Sequence, residues 1–172
     1  MKAQMPKNIL LIGFMGVGKG TIAREISRQS TIFAIDSDDI IESLENRSIK
    51  KIFETDGEKY FRALEAKTAK WLEKSVKNSV ISTGGGFYKV KNLKKIGHIV
   101  YLKSSFDAIF ERILKHPNAK KKLAKRPLLK DLKKAQSLFY ERVKEYENCA
   151  DFTINVENRE PKEIANEILK LF

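Results

Sequence analysis

A single cysteine, Cys149, stands in 172 residues, so an internal disulfide is excluded, which fits a reducing compartment. Cysteine is among the residue types most often buried, and Cys149 is expected as a half-buried helix residue, not a nucleophile. No apolar run approaches the roughly 20 residues of a membrane-spanning helix. The run Ile9–Ile12 behind Lys2 is too short for a signal-peptide core and meets glycines at once, so a cytoplasmic protein without membrane contact is expected. The two histidines, His98 and His116, have no partner at metal-ligand spacing. Internal repeats are absent. Aromatic interleaving is also absent from the most basic stretch, Lys115 to Lys134 with "KKKLAKR" at its centre, and no nucleic-acid motif lies there. A nucleic-acid partner is therefore not expected.

What is present is a strong positive charge. The chain has 34 basic and 22 acidic side chains, a net charge of +12. Such a surface also suits small anionic ligands drawn into a basic cleft. Hydrophobic content of 42% and charged content of 33% describe a folded globular protein. The length suits one domain over residues 1–172, large enough to bury roughly 70% of its unfolded surface without a metal or disulfide staple. A monomer is the default expectation.

Short apolar runs alternate with longer helical patterns. "NILLIG" precedes a helix from about Lys19 to Arg28, "TIFAID" precedes "SDDIIESLENRS", and "SVIST" meets Gly84–Gly86. "HIVYLK" precedes "SSFDAIFERILKH", and "DFTINV" precedes "EPKEIANEILKLF". Strands alternating with helices predict parallel β-α-β units with helices on both faces of the sheet. The runs "ILLI" and "IVYL" do not alternate in polarity, as expected of strands buried on both faces. Two regions depart from the alternation. Ser48 to Lys74 holds two successive helical patterns, with Phe61, Leu64, Thr68 and Leu72 at helical spacing, and reads as a helical insertion. His116 to Lys130 is lysine-rich, broken by Pro117 and Pro127, and reads as a mobile surface lid without an apolar stripe.

Several stretches carry chemistry. In Gly13-Phe14-Met15-Gly16-Val17-Gly18-Lys19, an apolar strand runs through glycines into a helix. Glycines aim backbone N–H groups at one point, the helix start adds its positive dipole end, and Lys19 adds a full charge for phosphates. Asp36-Ser37-Asp38-Asp39 follows the second strand, where ligands of open α/β sheets bind. Carboxylates there can hold Mg²⁺ or accept a hydroxyl proton; they can equally cap the next helix, and both can be true. In "FETDGEKYFRALE", Glu58 lies four residues before Arg62 and Glu65 three after; on spacing alone this is a solvated ion pair. In "VISTGGG", bare backbone at the sheet's carboxyl edge suits close approach of a polar ligand or a flexible turn. In "KRPLL", Arg126 can stabilise charge on a transferred phosphoryl group or belong simply to a basic run.

Together "GFMGVGKG", "DSD", "FETDGEKYFR", "STGGG" and "KRPLL", in that order and over nearly the full chain, resemble the shikimate kinases of the nucleoside-monophosphate-kinase-like P-loop family. The resemblance implies an α/β/α sandwich whose five-stranded parallel sheet has the order 2-3-1-4-5. It implies a substrate-binding insertion at about 37–65, a lid at about 115–130, and ATP-dependent phosphorylation of the shikimate 3-hydroxyl on the route to chorismate and the aromatic amino acids. By the same resemblance, Gly16, Val17, Gly18, Lys19, Gly20 and Thr21 bind ATP, with Lys19 bridging the β- and γ-phosphates. Arg112, Arg159 and Pro161 flank the adenine and Arg126 closes onto the phosphates. Asp36 holds Mg²⁺ largely through water, and Asp38 binds the reacting hydroxyl and accepts its proton. Arg62 and Arg142 clamp the shikimate carboxylate, Glu65 orients Arg62, Phe53 and Phe61 wall the pocket, and Gly84, Gly85 and Gly86 meet the substrate through their backbone.

Two features depart from the family pattern. The stretch Arg112 to Arg126 carries a lysine-rich insertion in which Lys120, Lys121 and Lys122 have no assigned role. The residue after Lys19 is Gly20, where most P-loops place a hydroxyl on Mg²⁺. Thr21 does not replace it, because one residue along a helix turns the side chain by about 100°. "GKGT" is also the form seen in adenylate kinases, so another small-molecule or nucleoside monophosphate kinase of this fold is the competing reading.

Overall fold

The computed structural model describes residues 7–124 and 127–172. Its central strand, β1 (Asn8–Ile12), is buried at every residue. Successive strand side chains point to opposite faces, so burial without alternation means that both faces of the sheet are covered. The same holds for Ile99–Leu102 in the middle of β4 (Gly97–Lys103). With β2 (Phe33–Asp36), β3 (Ser79–Ser82) and β5 (Phe152–Asn155), they form a parallel sheet of order β2-β3-β1-β4-β5, the order the resemblance implies. The edge strands β2 and β5 are less buried. In-register pairs such as Leu11 with Ser82 and Asp36 with Ser82 bring the strand ends, and the loops that follow them, to one edge of the sheet.

Helices close the two faces. α1 (Lys19–Gln29) buries Ile22, Ala23 and Ile26, and packs against α8 (Pro161–Leu169), which buries Ile164, Ala165 and Ile168. The core also takes Leu93 and Ile96 of α4 (Leu93–Ile96) and Ile109 and Ile113 of α5 (Phe106–Lys115). Phe139 and Tyr146 come from α7 (Leu132–Cys149), whose last residue, Cys149, is half-buried as its composition predicts.

The helical insertion comprises α2 (Ser37–Glu45) and α3 (Ile49–Ser75). The two helical patterns read from the sequence meet at Gly57, where φ is 78° and ψ 178°. Only glycine adopts that backbone readily, so α3 bends there. The turns before and after the bend, with α2, share a small core of Ile41, Ile52, Phe61 and Leu64, separate from the main one. The lysine-rich segment holds a short helix, α6 (Ala119–Ala124), with no buried residue, and a 3₁₀ turn Pro127–Lys130 that buries Leu129. Lys125 and Arg126 lie outside the described residues.

One polar side chain ties the amino ends of three strands together. Asn8 is fully buried, and its amide donates to Val76 O at 2.8 Å and Ile96 O at 3.0 Å, while Oδ1 accepts from Ser79 N at 3.1 Å. Each of those backbone groups loses its partner if the amide is removed, at roughly 1–3 kcal/mol per buried group. Asn8→Ala is expected to lower stability by about 3 kcal/mol or more in urea denaturation, while the folded variant keeps the parent's circular dichroism spectrum.

Candidate active site

β1 leads into the glycine-rich loop, which turns through Gly16 (φ 82°) and Gly18 (φ 106°). Gly18 caps α1 without any side-chain hydrogen bond. The first N–H groups of α1 therefore have no side-chain cap, as an anion-binding helix start requires. A side chain at Gly18 would also collide with the Arg112 guanidinium, 2.6 Å from the position of its Cβ. Arg112 reaches over from α5 and donates to Gly16 O at 2.7 Å. Lys19 is buried and spans the loop, donating to Gly13 O at 2.6 Å and Phe14 O at 3.0 Å.

β2 ends at Asp36, whose Oδ1 accepts from Asp38 N at 2.9 Å and Asp39 N at 3.4 Å. Asp36 is thus the N-cap of α2, and the capping reading of the acidic cluster holds. The turn also drives the Asp38 side chain inward, where its Oδ1 is buried with no hydrogen-bond partner. Burial first, then the nearby Asp36 and Glu65 carboxylates, push its pKa up to about 7, against the pull of the Lys19 ammonium. Ser37 Oγ accepts from Gly84 N at 3.1 Å, which fixes the glycine run beside this carboxylate.

The glycine run forms a floor under several charged groups. A Cβ on Gly84 would lie 2.8 Å from Asp38 Oδ1 and 3.3 Å from Glu65 Oε1; one on Gly85 would lie 3.0 Å from Arg142 Nη1. A Cβ on Gly86 would overlap the Arg62 guanidinium. Arg62 on α3 donates through Nε and Nη2 to Glu58 Oε1 at 3.1 and 2.9 Å, and through Nη1 to Glu65 Oε2 at 2.6 Å. The spacing read from the sequence as an ion pair is one, and it sets the guanidinium against the glycines as well. Burial pushes the Glu65 carboxyl above its ordinary range, and Arg62 offsets part of that. Arg142 on α7 is buried, with Nε lacking a hydrogen-bond partner. Tyr146, one turn later, donates its hydroxyl to Gly85 O at 2.6 Å. Phe53 and Phe61 pack ring against ring at 4.8 Å on the insertion.

These parts surround a cavity of about 480 Å³, within the usual range for a small-molecule site. Of the residues expected at ATP, Gly16, Gly18, Lys19, Gly20, Thr21 and Arg112 line it, whereas Val17 is turned into the core. Asp36, Asp38, Gly84 and Gly85 line it from the strand ends. Arg62, Glu65, Gly86 and Arg142 are linked to it through the glycine run. Arg159 and Pro161 are not among its lining residues: Arg159 is held by Asn155 O at 2.8 Å and Glu167 at 2.6 Å, and Pro161 opens α8. The expected site at Arg126 lies outside the described residues. Sequence reasoning missed Arg24, Ser82, His116 and Lys122, which also line the cavity, and Tyr146 behind it. Two of these were within reach of helical spacing, since Arg24 follows Gly20 by four residues and Tyr146 follows Arg142 by four.

Among the described residues no cluster of three or more His, Cys, Asp or Glu side chains offers a metal cage. One carboxylate facing a phosphate site does fit Mg²⁺, which keeps several waters and takes other ligands from nucleotide phosphates. Asp36 meets that description, since Oδ1 is spent on the α2 cap and Oδ2 faces Gly20. The arrangement as a whole places backbone N–H groups and cations at one end, a carboxylate poised near neutrality in the middle, and two arginines at the other. It suits transfer of a phosphoryl group to a hydroxyl of a small carboxylic acid.

Comparison with known proteins agrees. A family model described as shikimate kinase matches residues 15–172. The shikimate kinase of Helicobacter hepaticus is 41% identical over 149 residues, covering 87% of this chain and 86% of that protein. Among solved structures, shikimate kinase from Acinetobacter baumannii in complex with shikimate superposes with a TM-score of 0.85 at 31% identity, covering 96% of this chain and 92% of that one. The Aquifex aeolicus shikimate kinase gives 0.77 at 37% identity, covering 95% and 94%.

The buried Asp38 carboxyl has a consequence for stability. Folded, it keeps its proton to about pH 7; unfolded, it releases it near 3.8. The folded state therefore binds the extra proton between those values, and this group's contribution to stability falls as pH rises from about 4 to 7, then stays level. The difference amounts to at most roughly 4 kcal/mol, at 1.36 kcal/mol per pH unit. Asp38→Asn is expected to be more stable than the parent at pH 8 and nearly equal to it at pH 4, as read by urea denaturation of the ligand-free proteins.

Proposed function

The chain belongs to the shikimate kinase family, and from that premise we propose which of its residues transfer the γ-phosphoryl group of ATP to the 3-hydroxyl of shikimate. The observation that carries the assignment is Asp38, a buried carboxyl near pKa 7 between the phosphate loop and the two arginines. A base acts best when its pKa lies close to the working pH, and an unpartnered buried oxygen is ready to accept a hydrogen bond from a substrate hydroxyl. Asp38 binds the 3-hydroxyl and takes its proton as the oxygen attacks. Gly16, Gly18, Gly20 and Thr21 surround the phosphates, and Lys19 exchanges its contacts with Gly13 and Phe14 for the β- and γ-phosphate oxygens. Arg112 lies over the same loop and adds charge to it. When bound, Mg²⁺ supplies neutralisation of the phosphate oxygens, and Asp36 holds it largely through water.

At the acceptor end, Arg62 and Arg142 receive the shikimate carboxylate. Arg62 is already oriented by Glu58 and Glu65, and the unpartnered Nε of Arg142 supports a ligand role for that residue. Phe53 and Phe61 wall the ring, and the Gly84–Gly86 backbone lets it approach closely. Use of ATP supports a cytoplasmic location; no helix among the described residues is long and apolar enough to cross a membrane.

An ADP-release assay run in parallel with shikimate, AMP and gluconate tests the reading. Turnover is expected with shikimate alone; turnover with AMP or gluconate in its place would transfer the assignment to another kinase of this fold. Within the site, Arg62→Ala is expected to raise the KM for shikimate about 10- to 150-fold, the worth of a charged hydrogen bond of roughly 1.5–3 kcal/mol, with the KM for ATP unchanged. Steady-state kinetics with each substrate varied in turn decide it: an unmoved shikimate KM removes Arg62 from the carboxylate clamp.

A further inference from the structure

Gly20 leaves a gap in the phosphate loop at the position where P-loops commonly carry a hydroxyl for the metal. The position of a Cβ on Gly20 lies 3.8 Å from Asp36 Oδ2, 3.8 Å from Ser82 Oγ and 3.4 Å from Arg24 Nη1. Two oxygens from the strand ends therefore border the space that the loop residue leaves open. They arrive as a pair, because Asp36 and Ser82 are register partners on the parallel strands β2 and β3. Register partners on neighbouring strands project to the same face of the sheet, about 5 Å apart.

Of the three hydroxyls around this turn, two are committed. Ser37 Oγ accepts from Gly84 N at 3.1 Å, and Thr83 Oγ1 donates to Leu11 O at 2.9 Å. Ser82 is 4% exposed and lines the cavity, yet among the described residues its Oγ makes no hydrogen bond. A hydroxyl kept at a buried strand end beside a carboxylate, without a protein partner, points to a ligand that supplies one.

We propose that Ser82 provides the hydroxyl that Gly20 lacks, acting with Asp36 Oδ2 to hold the divalent cation of the nucleotide and its waters. The function of the loop residue has moved to the neighbouring strand. This rests on the ATP site proposed above. Ser82 is a positioning residue for the metal, with no contact to the reacting hydroxyl required of it. Position 20 of the loop, if it carried a serine, and Ser82 on the strand would offer a hydroxyl to the same space.

The test is the affinity of Mn²⁺ for the protein–ADP complex, followed by the electron paramagnetic resonance signal of free Mn²⁺, beside the affinity of metal-free ADP measured by calorimetry in EDTA. Ser82→Ala is expected to weaken Mn²⁺ binding roughly 3- to 10-fold, the worth of one hydrogen bond. It should leave metal-free ADP binding unchanged. Gly20→Ser in the Ser82→Ala background is expected to restore the Mn²⁺ affinity. An Mn²⁺ affinity unmoved by Ser82→Ala overturns the proposal while leaving the ATP site standing, and assigns the space to Arg24 or water. Equal loss of Mn²⁺ and metal-free ADP binding overturns it too, because Ser82 would then only support the loop. Failure of the parent protein to bind ADP at all overturns the ATP site, and the proposal with it.

Discussion

The candidate site is built on the close approach of charged side chains to the backbone of Gly84–Gly86. Asp38 and Arg62 lie closer to Gly84 and Gly86 than a Cβ there would allow without displacing them, and Arg142 lies 3.0 Å from the place a Cβ on Gly85 would take. The run begins directly after a strand buried on both faces, so its path is set by the sheet. Two further bonds hold it from either side, Gly84 N to Ser37 Oγ and Tyr146 Oη to Gly85 O. The floor of the site is thus held by hydrogen bonds at two of its three glycines. The charged groups are positioned by its bareness, and a carboxylate and two guanidinium groups end within one small volume.

That arrangement opposes stability at the point where it serves chemistry. Asp38 is buried close to Asp36 and Glu65, and its pKa rises accordingly. Glu65 is itself buried, with one oxygen unpartnered, and its ion pair with Arg62 only partly compensates. Buried carboxylates in such proximity are unfavourable unless a cation or a bound ligand answers them. Elsewhere the chain is conservatively built, with contiguous apolar strands, helices packed on them and the Asn8 clamp beneath. The stable amino edge of the sheet supports a strained carboxyl edge, as expected when function is placed where strand ends converge.

Much of this was legible in the sequence, and the division follows contact range. Strands buried on both faces declared themselves as unbroken apolar runs, and the bend in α3 is where Gly57 interrupts two helical patterns. The Arg62 network was legible because its partners lie three and four residues away on the same helix. The sheet order came from the resemblance, since local patterns say nothing of which strands become neighbours. Contacts such as Tyr146 with Gly85 or Asn8 with Ile96 join residues 61 and 88 positions apart and are fixed only by the tertiary fold. Ser82 was hidden for the same reason: its meaning comes from lying across from Asp36. Arg159, which the resemblance sets beside the adenine, is held in this structure by Asn155 and Glu167, contacts that spacing along the chain did not suggest.

The sign of the overall charge also acquires a structural meaning. Lys19, Arg24, Arg112 and Lys122 line the cavity from α1, α5 and α6, whereas its carboxylates, Asp36 and Asp38, come from β2 and α2. Cations on the loop and helix side face carboxylates on the strand side. This division makes Gly20 intelligible. A side chain at position 20 and the hydroxyl of Ser82 on β3 both reach the space beside the Asp36 carboxylate. With no side chain at Gly20, that space is bordered by Asp36 Oδ2 and Ser82 Oγ from the strand ends and by Arg24 Nη1 from α1, so both signs of charge meet a hydroxyl at one point of the cavity.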